Sequence, residues 1–281
     1  MLQTTDQVRL LRGSDLTAIR RILDADPVTN AFVDARVRAA GFDPSRMGAQ
    51  LWGYEERGEL ISLCYAGANL VPVSATRAAA LAFAERALRH GRTCSSVWGP
   101  RDAVATIWQV LEPVWGRARG VRAVQPFLTM RSQPKIAPDP LVRRVRLDEL
   151  DALYEASVAF FTEELGVSPE ERDGGSYYRA RVADLIRRGY AFARIENGEV
   201  VAKAEIGIAT PRAFQVQGVW VRPDRRGEGL AAPCVAAVVA AGLREVAPVA
   251  SLYVNDFNVA ARRAYARVGF EQTTTFMTVL F

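Results

Sequence analysis

The sequence predicts a mixed α/β (α+β) fold made of two tandem domains, each with a mostly antiparallel mixed sheet flanked by helices. Three observations lead to this prediction. Short apolar stretches of strand character alternate with amphipathic helical segments, acidic-X-Gly-Glu turns join neighbouring strands, and the two halves of the chain resemble each other in the same order. Strands joined by hairpins and then by a strand-loop-helix-strand unit are typical of a mixed sheet covered by helices.

Two pairs of segments carry the internal resemblance. "VRLLRGSDLTAI" at 8–19 corresponds to "VRRVRLDELDAL" at 142–153, and "ERGELISLCYAG" at 56–67 corresponds to "ENGEVVAKAEIG" at 196–207. In each half a short strand leads into a helix, and later a turn joins two strands. Self-similarity that keeps its order along the chain indicates two copies of one fold.

A proline-rich stretch separates the two copies. "RSQPKIAPDP" at 131–140 contains three prolines and almost no large apolar residues, as is typical of a linker. We therefore expect one domain at 1–130 and a second domain at 141–281.

In the second domain, the order of elements follows from local signals. Asp148 is placed to cap the first helix, and Asn197 with Gly198 predicts a hairpin turn. The predicted strands are 141–146, 190–195, 199–208, 213–221, 249–254 and a closing strand at 274–281. The predicted helices are 148–161, 175–188, 231–245 and 258–268.

The composition is that of an ordinary soluble globular protein. Of the 281 residues, 49% are apolar and 24% are charged, and no apolar run approaches the roughly 18 residues that a spanning helix needs. The first residues show no signal peptide, and three widely spaced cysteines suit a reducing compartment. We therefore expect a cytoplasmic protein without membrane association, and the sequence leaves a homo-oligomer open.

Some classes of function are disfavoured by single residue types. Because His90 is the only histidine, the sequence disfavours a His-based zinc site and a Ser-His-Asp triad, and the cysteines show no metal-binding spacing, so we expect no metal. The net charge of +5 is almost wholly due to arginine, since Lys135 and Lys203 are the only lysines. No basic run is interleaved with aromatic residues, which disfavours nucleic-acid binding.

The stretch "VQGVWVRPDRRGEGLA" at 216–231 joins an apolar strand to an Ala- and Val-rich helix through a loop of Arg and Gly. Such spacing also occurs in ordinary surface turns. A phosphate, however, needs converging backbone N–H donors, which Gly227 and Gly229 allow through close approach and freedom in φ. The helix that begins directly afterwards adds unpaired N–H groups and the positive end of its dipole, so we predict a phosphate-binding loop.

A second segment, "LYVNDFNVAARRAYARVGF" at 252–270, reads as a strand, a turn and a helix. Asn258 stands at the turn and Tyr265 seven residues later. Because seven residues are about two helical turns, the two side chains can share one helix face.

Together these segments resemble the GNAT superfamily of acyl-CoA-dependent N-acyltransferases. In that family Arg/Gln-X-X-Gly-X-Gly/Ala binds the CoA pyrophosphate, and Arg226, Gly229 and Ala231 match its fixed positions. The strand before the loop matches the one that runs beside the pantetheine arm, and "RVGF" at 267–270 matches the usual helix end. The resemblance implies acetyl-CoA as acyl donor, bound by Val219, Trp220, Val221, Arg226, Gly227, Glu228, Gly229, Leu230, Ala231 and Asn258.

The resemblance also implies that Tyr265 protonates the departing thiolate of CoA. A tyrosine with a pKa near 10 is protonated at neutral pH and can act as this acid, although packing alone would also explain an aromatic residue there. A backbone N–H from the strand at 219–221 could polarise the thioester carbonyl. We expect direct transfer in a ternary complex.

The sequence departs from the family pattern at the general base. Many members of the family have a Glu on the strand before the Asn turn or on the central strand, and this sequence has none there. The nearest candidate is Glu205, whose apolar setting is expected to raise its pKa, unless it pairs with Lys203 on the same strand face. Asp256 is a second candidate, with a turn as its alternative role. Deprotonation through water, or an acceptor that binds already neutral, stays open.

The acceptor is expected to bind near "FFTEELGVSPEERDGGSYY" at 160–178. This segment mixes Phe160, Phe161, Tyr177 and Tyr178 with five carboxylates, which suits a cationic amine, although a solvated loop over a packed helix explains it equally.

The N-terminal half keeps the pattern of elements without the phosphate loop. Asp102 and Gln109 stand where Asn258 and Tyr265 would be expected, and an anionic Asp would repel CoA. We interpret this half as a degenerate GNAT-like copy, similar to the non-catalytic domain that precedes some actinobacterial GNAT domains.

The sequence therefore predicts an N-acetyltransferase that acts on a primary amine of a small molecule or a peptide. The alternative from another class is a catalytically silent acyl-CoA sensor or scaffold, which the missing Glu would favour and the retained Tyr265 argues against. An aminoacyl-tRNA-dependent transferase is disfavoured because the phosphate loop is intact.

Overall fold

The computed structural model describes residues 7–171 and 174–281. Residues 1–6 and Asp173, one of the carboxylates of the predicted acceptor segment, lie outside the described residues. The described chain forms two compact units. Unit 1 contains residues 7–127, 253–257 and 272–281, and unit 2 contains residues 128–171, 174–252 and 258–271.

The first 130 residues supply most of unit 1. Their helices and strands are β1 (Val8–Leu10), α1 (Leu16–Ala25), α2 (Ala31–Ala40), α3 (Pro44–Met47), β2 (Ala49–Glu56), β3 (Glu59–Gly67), β4 (Asn69–Val73), α4 (Arg77–His90), β5 (Ser96–Pro100), α5 (Arg101–Trp115) and β6 (Gly120–Met130).

The remaining residues form the elements of the second half. These are β7 (Arg143–Arg144), α6 (Leu150–Leu165), α7 (Ser176–Arg187), β8 (Ala191–Glu196), β9 (Glu199–Ala209), β10 (Phe214–Val221), α8 (Ala231–Glu245), β11 (Ala250–Tyr253), α9 (Val259–Val268) and β12 (Glu271–Leu280).

Within unit 1 the strands follow the order β1-β2-β3-β4-β5-β12-β6. The neighbours from β1 to β4 pair antiparallel, whereas β4 and β5 pair parallel. A core of Trp52, Phe83, Ile107, Leu111 and Val279 packs α4 and α5 against this sheet. The mixed α/β fold with a mostly antiparallel sheet and flanking helices is thus confirmed for this unit.

The last strand has a different place from the one that the sequence suggests. The sequence places it as the closing strand of the C-terminal domain, but β12 pairs antiparallel with β5, from Phe276 opposite Pro100 to Leu280 opposite Ser96. The local residue pattern predicts a strand but carries no information about its partner, since strand pairing is a non-local contact. The assignment of separate functions to 1–130 and 141–281 stays a prediction.

Within unit 2 the strands follow the order β11-β10-β9-β8-β7. The pairs from β10 to β7 are antiparallel and the pair β10–β11 is parallel. Helices α6 and α7 pack on the sheet through Leu153, Tyr178 and Val182. On α8, Gly242 lies against the ring of Phe214, where a Cβ would clash.

Most predicted elements of this half are confirmed within a few residues. Asn197 and Gly198 both have positive φ values, of 52° and 82°, as the predicted hairpin turn requires. The predicted cap by Asp148 is wrong, because a 3₁₀ turn at Leu147–Glu149 precedes α6. There the carboxylate of Glu149 accepts the backbone N–H of Arg146 at 2.9 Å, so the acidic residue that satisfies the helix start is one position later.

In the described residues, each unit has a parallel pair of strands that separate after two paired residues. In unit 2, β10 and β11 pair only at Phe214–Ala250 and Gln215–Ser251, and β10 continues to Val221. In unit 1, β4 and β5 likewise pair only at Asn69–Ser96 and Leu70–Val97. A strand edge that its neighbour leaves open can hydrogen-bond a ligand, so this feature positions the candidate site.

A β-bulge redirects the second half of β10. Gln217 lies opposite Glu205 and Trp220 opposite Lys203, so two residues of β10 face a single residue of β9. Gly218 takes the extra position with a φ of 60°, a conformation that favours glycine. Because the bulge shifts the alternation of side chains by one, Trp220 packs towards α6 and α7.

Candidate functional site

A cavity of about 590 Å³ lies in unit 2 between the end of α6, the second half of β10, the start of α8 and one face of α9. A cleft of this volume is within the usual range for a small-molecule site. The residues predicted from the sequence that line it are Val219, Trp220, Val221, Arg226, Gly227, Gly229, Leu230, Ala231, Asn258 and Tyr265.

The loop between β10 and α8 has the backbone that the sequence predicts. Gly227 and Gly229 have φ values of 87° and 80°, in the left-handed region that favours glycine. A Cβ built at either position meets no atom within 4 Å. The glycines are thus required by backbone conformation, and the space beside them is open for a ligand.

Helix α8 begins at this loop without a capping side chain. Its N-cap residue is Leu230, whose carbonyl accepts the N–H of Cys234 at 3.1 Å. Pro233, in the first turn, has no N–H to satisfy. The remaining N–H groups of the first turn and the positive end of the helix dipole therefore favour an anion at the cavity.

Ion pairs of Arg222 and Arg225 hold the loop between β10 and α8. Arg225 bonds the carboxylate of Glu228 at 2.8 Å and that of Glu196 at 2.9 Å. Arg222 bonds Asp224 at 2.7 Å and Glu199 at 2.6 Å. Glu228, a cofactor contact in the sequence prediction, is thus engaged with Arg225 and is absent from the described residues that line the cavity.

Tyr265 is buried on α9, and its side chain lines the cavity. Burial raises the pKa of its phenol well above the ordinary value, and the nearby carboxylate of Glu164 and thiol of Cys234 raise it further. Its ring lies edge-on to Phe270, with centroids 6.2 Å apart. The phenol is therefore held in place and fully protonated at neutral pH, as a general acid requires.

Asn258 is the N-cap of α9. Its side-chain oxygen accepts the backbone N–H of Ala261 at 3.1 Å. Because this bond sets the orientation of the side-chain amide, the NH₂ group can donate to a ligand in the cavity.

Two carboxylates near the end of α6, Glu163 and Glu164, line the cavity. Glu163 accepts from Arg226 at 2.6 Å and from the indole N–H of Trp220 at 3.3 Å. The carboxylate of Glu164 contributes to the raised pKa of Tyr265. Sequence reasoning places both residues in the acceptor segment but assigns them no role, because Glu163 and Trp220 are 57 positions apart in the chain and no local pattern reveals their contact.

Glu205 is in the alternative state that the sequence leaves open, an ion pair with Lys203, and its pKa is not raised. Burial alone would raise the pKa of its carboxyl, but Lys203 and Arg181 together outweigh burial, and the pKa is lowered. Its oxygens lie 3.4 Å from Lys203 Nζ and 3.4 Å from Arg181 Nη2. The carboxyl group of Glu205 packs against Gly218, and Glu205 is not among the described residues that line the cavity. In this geometry its role is that of a structural ion-pair partner.

Asp256, the second candidate base, is a turn residue. Its carboxylate accepts the backbone N–H of Phe257 at 2.9 Å. It belongs to unit 1, whereas the cavity lies wholly in unit 2.

The aromatic residues of the predicted acceptor segment are divided between the cavity and the packing of α6 on α7, where the rings of Phe161 and Tyr178 lie edge-on with centroids 5.2 Å apart. Phe160 lines the cavity, and Lys203 Nζ lies 5.2 Å from its ring centroid. Tyr178 is buried, where loss of solvent and the charge of Glu205 raise its pKa to about 12, and its hydroxyl donates to the carbonyl of Ser157. Tyr177 is exposed. Only Phe160 of this aromatic set is therefore part of the described cavity lining.

Arg225, Arg263 and Arg267 also line the cavity, although the sequence does not single them out. On α9, Arg263 and Arg267 are four residues apart and follow the same face as Ala260 and Ala264. Their periodicity is the sequence signal that would find them, once Tyr265 fixes which face of the helix is functional.

The corresponding region of unit 1 is closed. Its cavity beside the parted strands β4 and β5 measures about 10 Å³. Aromatic rings fill the gap: Phe32 and Trp98 have centroids 4.9 Å apart, and Phe276 lies 6.1 Å from Trp98. Helix α4 begins with a side-chain cap, since Thr76 Oγ1 accepts the N–H of Ala79, where α8 has a glycine loop. This geometry supports the prediction of a copy without a CoA site.

Asp102 and Gln109, which replace Asn258 and Tyr265 in the internal comparison, are exposed on α5. In the described residues no group of three or more potential ligands is arranged to hold a metal ion. The same residues contain no helix that is long and apolar enough to cross a membrane.

Comparisons with known proteins agree with this geometry. A model of the acetyltransferase (GNAT) family matches residues 150–270, and a model of a domain of unknown function (DUF4081) matches residues 49–153. No protein with a curated description matches the chain.

Solved structures of similar fold cover nearly the whole chain. A GCN5-related N-acetyltransferase from Sphaerobacter thermophilus has a TM-score of 0.58 at 18% identity, with 97% of this chain and 94% of that chain covered. A GNAT-family acetyltransferase from Colwellia psychrerythraea has a TM-score of 0.55 at 15% identity, with coverages of 98% and 99%. A tandem GNAT protein from the clavulanic acid biosynthesis pathway has a TM-score of 0.54 at 14% identity, with 97% of each chain covered.

These structural likenesses concern the fold, and the tandem arrangement of one of them matches the internal repeat. The DUF4081 match in the first half is consistent with a degenerate copy. The chain thus has a tandem GNAT-like fold, and residues 150–270 in its C-terminal half match the acetyltransferase (GNAT) family.

Proposed function

We propose that the C-terminal half transfers an acetyl group from acetyl-CoA to a primary amine of a small molecule or a peptide. The observation that carries this proposal is the meeting of two features in one cavity: a glycine loop before an uncapped helix, and a buried, protonated tyrosine. The first suits a diphosphate and the second suits a departing thiolate.

In this proposal the loop at Gly227–Ala231 binds the diphosphate through backbone N–H groups, and Arg226 adds charge. Arg263 and Arg267 supply positive charge for the remaining phosphate of the donor, because both line the cavity and neither forms an ion pair in the described part of the chain. The open edge of β10 at Val219–Val221 runs beside the donor's arm.

The chemical step is direct attack in a ternary complex. The neutral amine adds to the thioester carbonyl, and a backbone N–H from the 219–221 segment stabilises the oxyanion. The tetrahedral intermediate then collapses with cleavage of the C–S bond, and Tyr265 donates its proton to the thiolate sulfur. The products are an amide and free CoA, and the ammonium proton of the amine passes to Tyr265 or to water.

Amine deprotonation does not require Glu205 in this scheme. Its carboxylate is held by two cations and its lowered pKa makes it a weak base. The acceptor therefore enters as the neutral amine or loses its proton to water.

Two measurements test the function. Titration calorimetry with acetyl-CoA should show binding at one site per chain, and a thiol assay for free CoA should report turnover with at least one member of a panel of primary amines and peptides. Mass spectrometry of cell extract incubated with the enzyme and acetyl-CoA would identify the acceptor by an added acetyl group. Tight binding without CoA release across a broad panel would instead support the silent sensor, and no binding at all would refute both.

A further inference from the structure

Arg226, the cation of the phosphate loop, is already engaged by a carboxylate. Its Nη2 donates to Glu163 Oε2 at 2.6 Å, and its Nε donates to the carbonyl of Val221 at 3.0 Å. The other oxygen of Glu163 accepts the indole N–H of Trp220 at 3.3 Å. Glu163 is therefore held from two sides in a defined position.

This ion pair differs from the others in the loop. Arg225 and Arg222 pair with carboxylates outside the cavity lining, namely Glu196, Glu228, Glu199 and Asp224, and these pairs shape the loop. Glu163, in contrast, lines the cavity itself. Its negative charge lies within bonding distance of the guanidinium that a diphosphate would use, so ligand and carboxylate require the same cation.

We propose that Glu163 is a built-in competitor for the donor's diphosphate, an inference that rests on the proposed function. Binding of acyl-CoA displaces the carboxylate from Arg226 or leaves it facing a second anion, and either outcome weakens donor binding. Glu163 thus lowers the affinity of the site for anions that bind through Arg226. A ligand that also uses the N–H groups of the glycine loop and α8 can bind in spite of this competition.

The partial exposure of the pair makes this exchange feasible. The side chains of Arg226 and Glu163 are 49% and 44% exposed, so the carboxylate can be rehydrated when the pair opens. The bond from Trp220 keeps Glu163 beside the cavity, and the bond to the Val221 carbonyl keeps Arg226 in place. The ion pair between Arg226 and Glu163 can therefore open while both side chains stay beside the cavity.

The test compares Glu163→Gln with wild type, using coenzyme A as the probe in titration calorimetry. Glutamine has the same size and its oxygen can still accept from Trp220, so the negative charge and the bond from Arg226 are lost while the contact with Trp220 is kept. The dissociation constant of coenzyme A should fall about three- to tenfold, and the gain should shrink at high salt, where charge effects are screened. Inorganic pyrophosphate, titrated as a second probe, should also bind more tightly to the variant.

The matched control is Glu155→Gln, on the same helix. Glu155 is exposed and does not line the cavity, so the same loss of charge should leave the dissociation constant unchanged within about twofold. In an Arg226→Gln background, Glu163→Gln should give a smaller gain, because the contested cation is absent and only the direct repulsion between carboxylate and ligand is removed. Thermal unfolding of each variant checks that the fold is intact.

The outcomes separate the two proposals. If wild type binds coenzyme A but Glu163→Gln binds it equally or more weakly, the competitor is refuted while the proposed function stands; weaker binding would mean that Glu163 orients Arg226 for the ligand. If neither wild type nor any variant binds coenzyme A, the proposed function fails and the inference fails with it.

Discussion

Asn258 and Tyr265 lie about two turns apart on α9 and line the same cavity, Asn258 at the helix N-cap and Tyr265 buried on the inner face. The oxygen of Asn258 is used by the N–H of Ala261, which leaves its NH₂ group as a donor. The phenol of Tyr265 stays protonated because burial raises its pKa. In the proposed reaction, the helix therefore presents one hydrogen-bond donor and one acid to the acyl donor.

Tyr265→Phe should lower kcat about 100-fold, the usual contribution of a general acid, because the thiolate then leaves without a proton. The dissociation constant of acetyl-CoA should change less than about twofold, since the ring remains. Tyr190→Phe is the matched control, because Tyr190 does not line the cavity. Stopped assays of CoA release and calorimetry give the two quantities. An unchanged kcat would remove the acid role of Tyr265.

Two substitutions at Asn258 separate helix capping from ligand binding. Asn258→Ala should lower the free energy of unfolding by about 1 kcal/mol, because the N–H of Ala261 loses its acceptor. Asn258→Asp keeps that acceptor and should preserve the melting temperature. Both variants should bind acetyl-CoA more weakly, the Asp variant most, since it adds a negative charge beside phosphates. Normal affinity in Asn258→Asp would show that the amide donates nothing to the donor.

Gly229→Ala should weaken donor binding about tenfold, the equivalent of about 1.4 kcal/mol, because a Cβ at a φ of 80° strains the loop and displaces its N–H groups. Gly198→Ala imposes a comparable strain, at a φ of 82°, in a hairpin turn away from the cavity. The control should lose about 1 kcal/mol of stability and keep its affinity. Equal affinities in the two variants would argue against a phosphate-binding loop.

The sequence predicts the parts of the site that depend on local geometry. Gly227 and Gly229 have the positive φ values that a glycine loop allows, and the spacing of Asn258 and Tyr265 places both on one helix face. These signals lie within single segments of the chain. The strand-loop-helix order is therefore sufficient to predict which residues of the glycine loop and of α9 line the cavity.

The remaining features depend on contacts between distant residues. The partner of β12 is β5, a pairing that no local pattern encodes. Arg181, which helps to lower the pKa of Glu205, comes from α7. The apolar strand around Glu205 does not reveal this contact and by itself suggests a raised pKa. Likewise Glu163 meets Arg226 across 63 residues. Charge states and pair partners of this kind are properties of the packed fold.

Glu205→Gln should destabilise the protein by about 3 kcal/mol at neutral pH, because it leaves the ammonium of Lys203 buried without its counter-charge. The folded-state pKa of Glu205 lies below its ordinary value of 4.5, so its contribution is present above that pH and is lost as the pH falls. The difference in stability between wild type and variant should therefore shrink in acid. Urea titrations at several pH values measure it, and a constant difference would contradict the ion pair.

The pH dependence of turnover should follow the acceptor and not an enzyme carboxylate. Glu205 is ionised throughout the neutral range because its pKa is lowered, and Tyr265 stays protonated because its pKa is raised. The only titration left in the scheme is that of the amine, so kcat/KM should rise with pH until the amine is neutral. Two acceptors of clearly different amine pKa should give curves displaced by that difference. Curves that bend at one common pH would reveal an enzymatic base, and Glu163 and Glu164 would then be the first carboxylates to replace, since both line the cavity.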